Sequence, residues 1–480
     1  MAIIIPANSA ADTGFSVANS CRFNDGDSAY LSRTLGTPTD NNVWTFSFWI
    51  KRGILGSAMQ LFDSDTGSGD EGYLMINAGN DPAVNIYDSA GNTAQFNISR
   101  KLRDPSAWMH IVWNFNSGDS TAGDRMQIWY NGVRGTDFTT NTQPALNDGS
   151  TINEAKAHRI GAKMNDSRYF DGYLAEVVFI DGSALAPTSF GEFDEDSPTI
   201  WKPKDVSGLT FGDNGFYLDF EDSSALGNDV SGNNNDWTAN NLAAADQATD
   251  TPTNNFCVMN PLGGQTAATS NNSWSLAEGN MSFVSGNAYS QWITGTMSIS
   301  AGKWYWELQP QGTFGTSDNV PYVGIIKTTE IGARQALTST TSASNDTITM
   351  EANGDKVVLG TTSAGYGDTF TNDDKLMMAV DCDNGKVWWG VNGTWQKSGA
   401  VGDPANGTNA NATFTAGTEF VPYCLGWSGD ATPINYNFGG CPAFTVSSAA
   451  QDENGYGRFE FSPPDSFLSL CSKNLGSDGG

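Results

Sequence analysis

The chain has 480 residues, about three times a typical domain of roughly 100–200 residues, so two sizeable cores fit within it. Charged residues make up only 16%, and 53 acidic residues face 24 basic ones, for a net charge of −29. That balance repels nucleic-acid phosphates and anionic membrane surfaces, so it argues against both as partners, while it favours solubility.

The N-terminus, Met1-Ala-Ile-Ile-Ile-Pro6, carries a short apolar run before a proline. A secretion signal needs an apolar stretch of about 7–15 residues, and a membrane helix about 18 or more. The expectation is a soluble chain made in a cytoplasm, with residues 1–20 as an arm. Six cysteines (Cys21, Cys257, Cys382, Cys424, Cys441, Cys471) stand far apart with only two histidines in the chain. Buried free thiols are the default reading, with a disulfide among the last four as the alternative.

In Trp44-Thr-Phe-Ser-Phe-Trp-Ile50 the residues Trp44, Phe46, Phe48 and Ile50 alternate with Thr45 and Ser47 at period two, the pattern of a half-buried strand. Met109, Ile111, Trp113 and Phe115 repeat it, as do Met126, Ile128 and Tyr130, which run into Asn131-Gly132. Asn-Gly is a strong hairpin signal because both residues tolerate the positive φ of a type I′ turn. Leu174 to Ile180 ends at a further turn pair, Asp181-Gly182. With almost no helical periodicity, an antiparallel β-sandwich is expected.

Phe23-Asn-Asp-Gly-Asp-Ser-Ala-Tyr-Leu31, the Trp44 strand, Trp108-Met-His-Ile-Val-Trp113, Ile128-Trp-Tyr-Asn-Gly-Val133, Arg159-Ile-Gly161 and Asp171-Gly-Tyr-Leu-Ala-Glu-Val177 follow one another in an order that resembles the laminin-G type of concanavalin A-like domain. The resemblance covers residues 21–195. The acidic stretch Gly191-Glu-Phe-Asp-Glu-Asp-Ser-Pro198 then opens a region rich in Asn, Asp, Ala and Thr. Residues 196–270 read as a connector with some strands, of which Gly215 to Phe220 is the clearest.

Lys303-Trp-Tyr-Trp-Glu-Leu308, Val323-Gly-Ile325, Gly365-Tyr-Gly-Asp368, Val387-Trp-Trp-Gly-Val391 between turns at Asp383-Asn-Gly385 and Asn392-Gly393, Phe420-Val-Pro-Tyr-Cys424 and Tyr436-Asn-Phe-Gly439 form a second set of strands. Their order resembles the SPRY domain, over residues 271–445, with 446–480 as a tail. The whole is therefore expected to be all-β, with two antiparallel sandwiches of jelly-roll type in tandem. A laminin-G-like domain followed by a SPRY-like one in an acidic chain resembles a structural protein of a bacteriophage virion, of the marine type. That resemblance implies release by lysis, other virion proteins as partners, a symmetric homo-oligomer such as a trimer, and either a tail-fibre adhesin for a host glycan or protein, or a capsid decoration.

Concanavalin A-like folds also include glucanases, whose paired carboxylates stand about 5–5.5 Å apart when retaining. Glu192-Phe-Asp-Glu-Asp196 is the nearest match, but it lies in an acidic, proline-terminated run instead of a core strand. Glu176 sits in an apolar strand without a second acid, where a structural bond at a strand edge is expected, and His110 and His158 lack a nucleophile motif. No catalytic residue is therefore assigned. For binding, Trp49 and Trp129 stand opposite the main apolar face of their strands, Asp63, Asp65, Asp70 and Glu71 share a loop, and Tyr366, Asp368 and Trp427 lie in loops of the second block. Aromatic faces and carboxylate oxygens suit sugars, sometimes through Ca²⁺. The competing reading is that the tryptophans cover a second buried face and the acids are solvated. Asp229-Val-Ser-Gly-Asn-Asn-Asn-Asp236 offers Asp229 and Asp236 as Ca²⁺ oxygens, against the reading of a plain turn.

Overall fold

A computed structural model describes residues 14–64, 69–87, 93–264, 274–285, 291–312, 321–332, 346–426 and 433–478. The chain splits into two compact units, Asp12–Thr253 and Asn254–Gly480. Both are antiparallel β-sandwiches, and among the described residues no helix is long and apolar enough to cross a membrane.

In the first unit, one sheet runs in the order Val133–Arg134, Met126–Tyr130, Met109–Asn116, Val43–Arg52, Gly172–Asp181, Ser20–Phe23, Gln247–Ala248, with Phe216–Leu218 also paired to Gly172–Asp181. The other sheet runs Phe138–Thr142, Thr93–Ile98, Pro82–Tyr87, Glu71–Ile76, Met59–Asp63, Ala157–Ile160, Tyr30–Thr34, Thr238–Asn240. Trp44, Phe46, Phe48 and Ile50 point between the sheets, where Trp44 meets Trp113 edge to face at 4.6 Å and Phe46 stacks on Phe62 at 4.5 Å. The hairpin at Asn131-Gly132 has φ 47° and 74°, as a type I′ turn requires.

The expected half-buried strand is in fact buried on both faces from Trp44 to Arg52. Residues 185–211 cross the outer face of this sheet, laying Leu185, Phe190, Val206, Leu209 and Phe211 over Val112, Val178 and Ile180. Thr45 Oγ1 donates to the carbonyl of Ser183, and Asn114 Nδ2 to that of Leu185, at 2.9 and 2.8 Å.

That covering corrects the connector. Residues 196–253 are part of the first unit: Phe216, Leu218, Phe220, Leu226 and Trp237 enter its core, and Thr238–Asn240 extends one sheet beside Tyr30–Thr34. A composition poor in long apolar runs still supplies single core side chains such as Phe220, Leu226 and Trp237, and two from the short strand Phe216–Leu218, which suffices when the rest of the sheet already exists.

The second unit packs a sheet through Ser275–Ala277, Ser282–Val284, Pro433–Asn437, Lys303–Pro310, Leu376–Asp381, Lys386–Val391, Thr394–Lys397 and Ala400–Val401 against one through Gln291–Thr294, Phe420–Gly426, Tyr322–Lys327, Thr347–Glu351, Lys356–Val358 and Thr361–Ser363. Trp304, Trp306 and Leu308 face the core. Tyr305, on the opposite face, is buried with Met377, Ala379 and Trp388 beneath Phe459 and Phe467. The stretch expected to be a tail is thus a structural cover, and Leu468–Ser469 pairs in parallel with Trp304 and Tyr305. The unit begins at 254, not 271, since Cys257, Val258 and Met259 also lie in its core. All six cysteines are buried free thiols. The N-terminal arm lies outside the described residues up to position 13.

Candidate functional site

The outer face of the first unit's second sheet is buried at Gln60, Asp63, Met75 and Ala83 and becomes partly exposed toward Tyr73, Asn85, Tyr87 and Gln95. Leu74, Val84, Ile86 and Phe96 point into the core, so by the two-residue period Tyr73, Asn85, Tyr87, Gln95 and Asn97 point away from it. The register sets Arg159 beside Asp63, Asp63 beside Tyr73, Tyr73 beside Asn85 and Asn85 beside Gln95. With strands about 4.8 Å apart, this row runs on the order of 19 Å across the sheet. Tyr73, Asn85 and Gln95 are half-buried, and Tyr87 is 39% exposed. Among the described residues, the side chains of Tyr73, Asn85 and Gln95 make no hydrogen bond, so a phenol and two amides are open to solvent or to a ligand. Burial first, and then the Glu71 charge, push the Tyr73 phenol upward, which keeps it a neutral donor.

One end of the row is built by the loop 161–171. Asp63 is buried, and its oxygens accept from Gln60 Nε2 and from the Met164 backbone N–H, each at 2.7 Å, so it holds the loop in place. The Arg159 guanidinium lies 4.3 Å from the Tyr30 ring centroid, and Tyr30 meets Tyr169 at 6.3 Å. Arg159 pairs with Asp166 and Lys163 with Glu71, both at 2.7 Å. The result is an aromatic and amide surface with nearly balanced charge.

The residues singled out by sequence lie elsewhere. Trp49 is 3% exposed and stacks on His110 at 4.9 Å, and Trp201 stacks on the same imidazole at 6.0 Å. Trp129 packs half-buried against the same cover. Trp49 offers no free ring face for a sugar, because residues 185–211 occupy that side of the sheet, and the same cover packs against Trp129 and leaves it only partly exposed. Asp63 is an anchor and not a solvated acid, Asp70 and Glu71 are half-buried, and Asp65 lies outside the described residues.

Asp229 is corrected as a Ca²⁺ ligand: its two oxygens accept from the N–H groups of Tyr217, Ser231 and Asn235 and from Ser231 Oγ, at 2.8–2.9 Å. Four donors leave its lone pairs no room for a cation. Asp236 Oδ1 accepts from the Asp229 N–H, closing the loop as an ordinary turn. In the second unit, Tyr366 is half-buried with Lys356 Nζ 3.6 Å from its ring centroid, and Asp368 is exposed with its N–H given to Gln396 Oε1. Trp427 and the rest of its loop lie outside the described residues.

The structure brings together one pair that sequence spacing did not: His110 Nε2 and Ser47 Oγ, 2.8 Å apart. Trp201 Nε1, a donor only, gives its hydrogen to His110 Nδ1 at 3.0 Å. The ring proton therefore sits on Nε2 and is donated to Ser47, the reverse of the tautomer in which histidine accepts a serine proton. Complete burial also lowers His110 to about 3. His158 is lowered likewise by burial, with Nδ1 bonded to the Lys156 carbonyl.

Glu176 lies at a bulge in the strand Gly172–Asp181, with φ 50° and its Oε2 accepting from Tyr217 Oη at 2.7 Å. It stands beneath the cover in mid-strand instead of at a sandwich edge. Burial pushes its carboxyl up to about 8. A raised value means the folded state holds the proton more tightly, so this stability is present below the ordinary value near 4.5 and is lost as pH rises through about 8. Glu176→Gln is expected to remove that loss: denaturant midpoints of the wild type should fall between about pH 5 and pH 9 by more than those of the variant. Equal falls would show that Glu176 is not the group titrating.

Glu192 and Asp194 sit on a separate two-stranded hairpin, Gly191–Phe193 with Trp201–Pro203, where Asp194 Oδ1 accepts the N–H groups of Asp196 and Ser197 and both acids approach Lys202. A concavity of about 530 Å³ lies between residues 223–228 and 236–244, with Leu226, Trp237 and Leu242 among its lining residues and Asn228 and Asp236 as polar ones.

Residues 24–188 match the family model described as the concanavalin A-like lectin/glucanases superfamily. No curated protein matches the chain. Among solved structures, the chain is similar to the SPRY domain of human HERC1, at 14% identity and a TM-score of 0.29 over 39% of this chain and 99% of that one. It is also similar to the native heptameric SAP-like pentraxin from Limulus polyphemus, at 14% identity and a TM-score of 0.26 over 36% of this chain and 80% of that one.

Proposed function

We propose that the protein is a non-catalytic binding protein, and that an uncharged glycan lies across the Tyr73, Asn85 and Gln95 row. The observation that carries this reading is the partly exposed row itself: a tyrosine and two amide side chains with no hydrogen bond to neighbouring described residues, aligned over three strands. Rings stack on sugar C–H faces, and amides both donate to and accept from hydroxyls. A net charge of −29 disfavours an acidic polymer. Binding is favoured over hydrolysis by what the acids do, since Asp63, Asp229 and Asp194 are occupied by backbone N–H donors.

The setting that goes with this proposal is the surface of a bacteriophage virion, as a homo-oligomeric tail-fibre or appendage adhesin contacting a host glycan. The support is the order of sequence blocks and the acidic charge. Titration of the full chain against neutral glycans from bacterial surfaces tests the ligand. The double variant Tyr73→Ala, Asn85→Ala is expected to weaken binding at least about tenfold, or roughly 1.4 kcal/mol. Leu242→Trp, which places a larger ring in the lining of the 530 Å³ concavity, is expected to leave binding unchanged. Loss of binding in the second variant alone, or release of reducing sugar from the glycan, overturns the reading.

A further inference from the structure

Lys51 and Asp250 stand 199 positions apart in sequence and meet in the interior of the first unit, with Lys51 Nζ 2.6 Å from Asp250 Oδ2 and their side chains 0% and 2% exposed. The meeting is built by the sheet. Gln247–Ala248 returns along Ser20–Phe23, that strand lies beside Gly172–Asp181, and Gly172–Asp181 lies beside the Lys51 strand. Ser20 Oγ donates to the Asp250 carbonyl at 2.7 Å and fixes its backbone. Trp108 Nε1 donates to the other carboxyl oxygen, Oδ1, at 2.9 Å, and the Tyr173 ring centroid is 6.0 Å from Nζ.

We infer that this pair is a site of self-modification, at which Lys51 Nζ and Asp250 Cγ join in an amide with loss of one water. A proton passes from the ammonium to Oδ2 along their contact, leaving an amine and a carboxylic acid. The nitrogen lone pair attacks Cγ, and the negative charge that develops on Oδ1 is met by the Trp108 N–H, the arrangement that stabilises an oxyanion. The Cγ–Oδ2 bond breaks as Oδ2 takes a second proton from the nitrogen and departs as water, so one hydrogen remains on the new amide and the site becomes neutral. No oxidant, metal or cofactor enters the balance.

Three physical effects favour the step. Burying two ions is costly unless they are well paired, and condensation removes both charges. Fixing the two groups against each other substitutes for a high concentration, with effective molarities that reach about 10⁵–10⁸ M for well-oriented pairs. Exclusion of water from the site opposes hydrolysis of the product. The bond would close a ring from residue 51 to residue 250 and lock the unit's last strand to its centre.

Mass spectrometry of the denatured full chain tests this directly. The expected result is a mass lower than that of the linear chain by one water, with a branched peptide joining Lys51 and Asp250 after proteolysis. Lys51→Arg is expected to restore the linear mass, and Trp108→Phe to lower the joined fraction in freshly folded protein. Recovery of Lys51 and Asp250 in separate linear peptides from the wild type overturns the proposal whether or not the variants fold. So does a water loss that maps to an aspartate–glycine succinimide.

Discussion

Glu307→Ala is expected to destabilise the second unit by about 4 kcal/mol or more, enough to unfold it in a marginally stable domain. Glu307 is fully buried in Lys303–Pro310. Its Oε1 accepts from Tyr305 Oη and the Phe461 N–H at 2.9 and 2.8 Å, and its Oε2 from the Glu460 N–H and Asn437 Nδ2 at 2.9 and 3.1 Å. Alanine would strand four donors, each costing about 1 kcal/mol or more when buried. Glutamine should also fail to rescue, because its amide nitrogen would face two donors. Equilibrium denaturation followed by fluorescence should show a lowered transition for both variants. An unchanged midpoint would mean that residues 459–461 do not hold the sheet through this carboxylate. Burial raises the Glu307 carboxyl above its ordinary value despite the four donors.

Asp181→Ala should produce the matching loss in the first unit, on the order of 3 kcal/mol. Asp181 ends the central strand and is 3% exposed. Oδ1 accepts from Asn153 Nδ2 and the Asp40 N–H at 2.7 and 3.2 Å, and Oδ2 from the N–H groups of Thr39 and Asn214 at 2.7 and 3.0 Å. One carboxylate therefore ties together three segments remote in sequence, including one in the stretch whose composition suggests a connector. An asparagine side chain at this position would keep one oxygen and lose half of the set, so D181N is expected to fall between wild type and D181A in thermal melts. If D181A melts like the wild type, the loops around positions 39, 153 and 214 are held by other contacts.

Asp181 also shows what local reading captures and what it misses. As half of an Asp-Gly pair it announces a turn, and Gly182 does adopt φ 86°. Nothing in the adjacent sequence reveals that its side chain serves loops tens of residues and more away. Trp49 makes the same point for the candidate site. Alternation correctly sets it opposite Phe48, but whether that face meets solvent depends on residues 185–211, which carry no local mark of where they will pack. Tyr73, Asn85 and Gln95 carried a readable signal: Glu-Gly-Tyr-Leu-Met-Ile, Val-Asn-Ile-Tyr and Ala-Gln-Phe-Asn-Ile alternate apolar residues with aromatic and amide ones. Their alignment into one row required the strand register.

The sequence by itself determined the all-β class, the main strands and hairpin turns, and the inward faces of both sandwiches, because side-chain direction alternates with period two whatever else the chain does. Only the tertiary structure decided the extent of the two units and which outer sheet face is covered. It also decided the duties of the acids, as anchors in Asp63, Asp181, Asp229 and Glu307 and as the partner of a buried lysine in Asp250. Those outcomes rest on hydrogen bonds and packing between residues that are mostly far apart in the chain, and such pairings follow from how the sheets assemble and not from any local pattern.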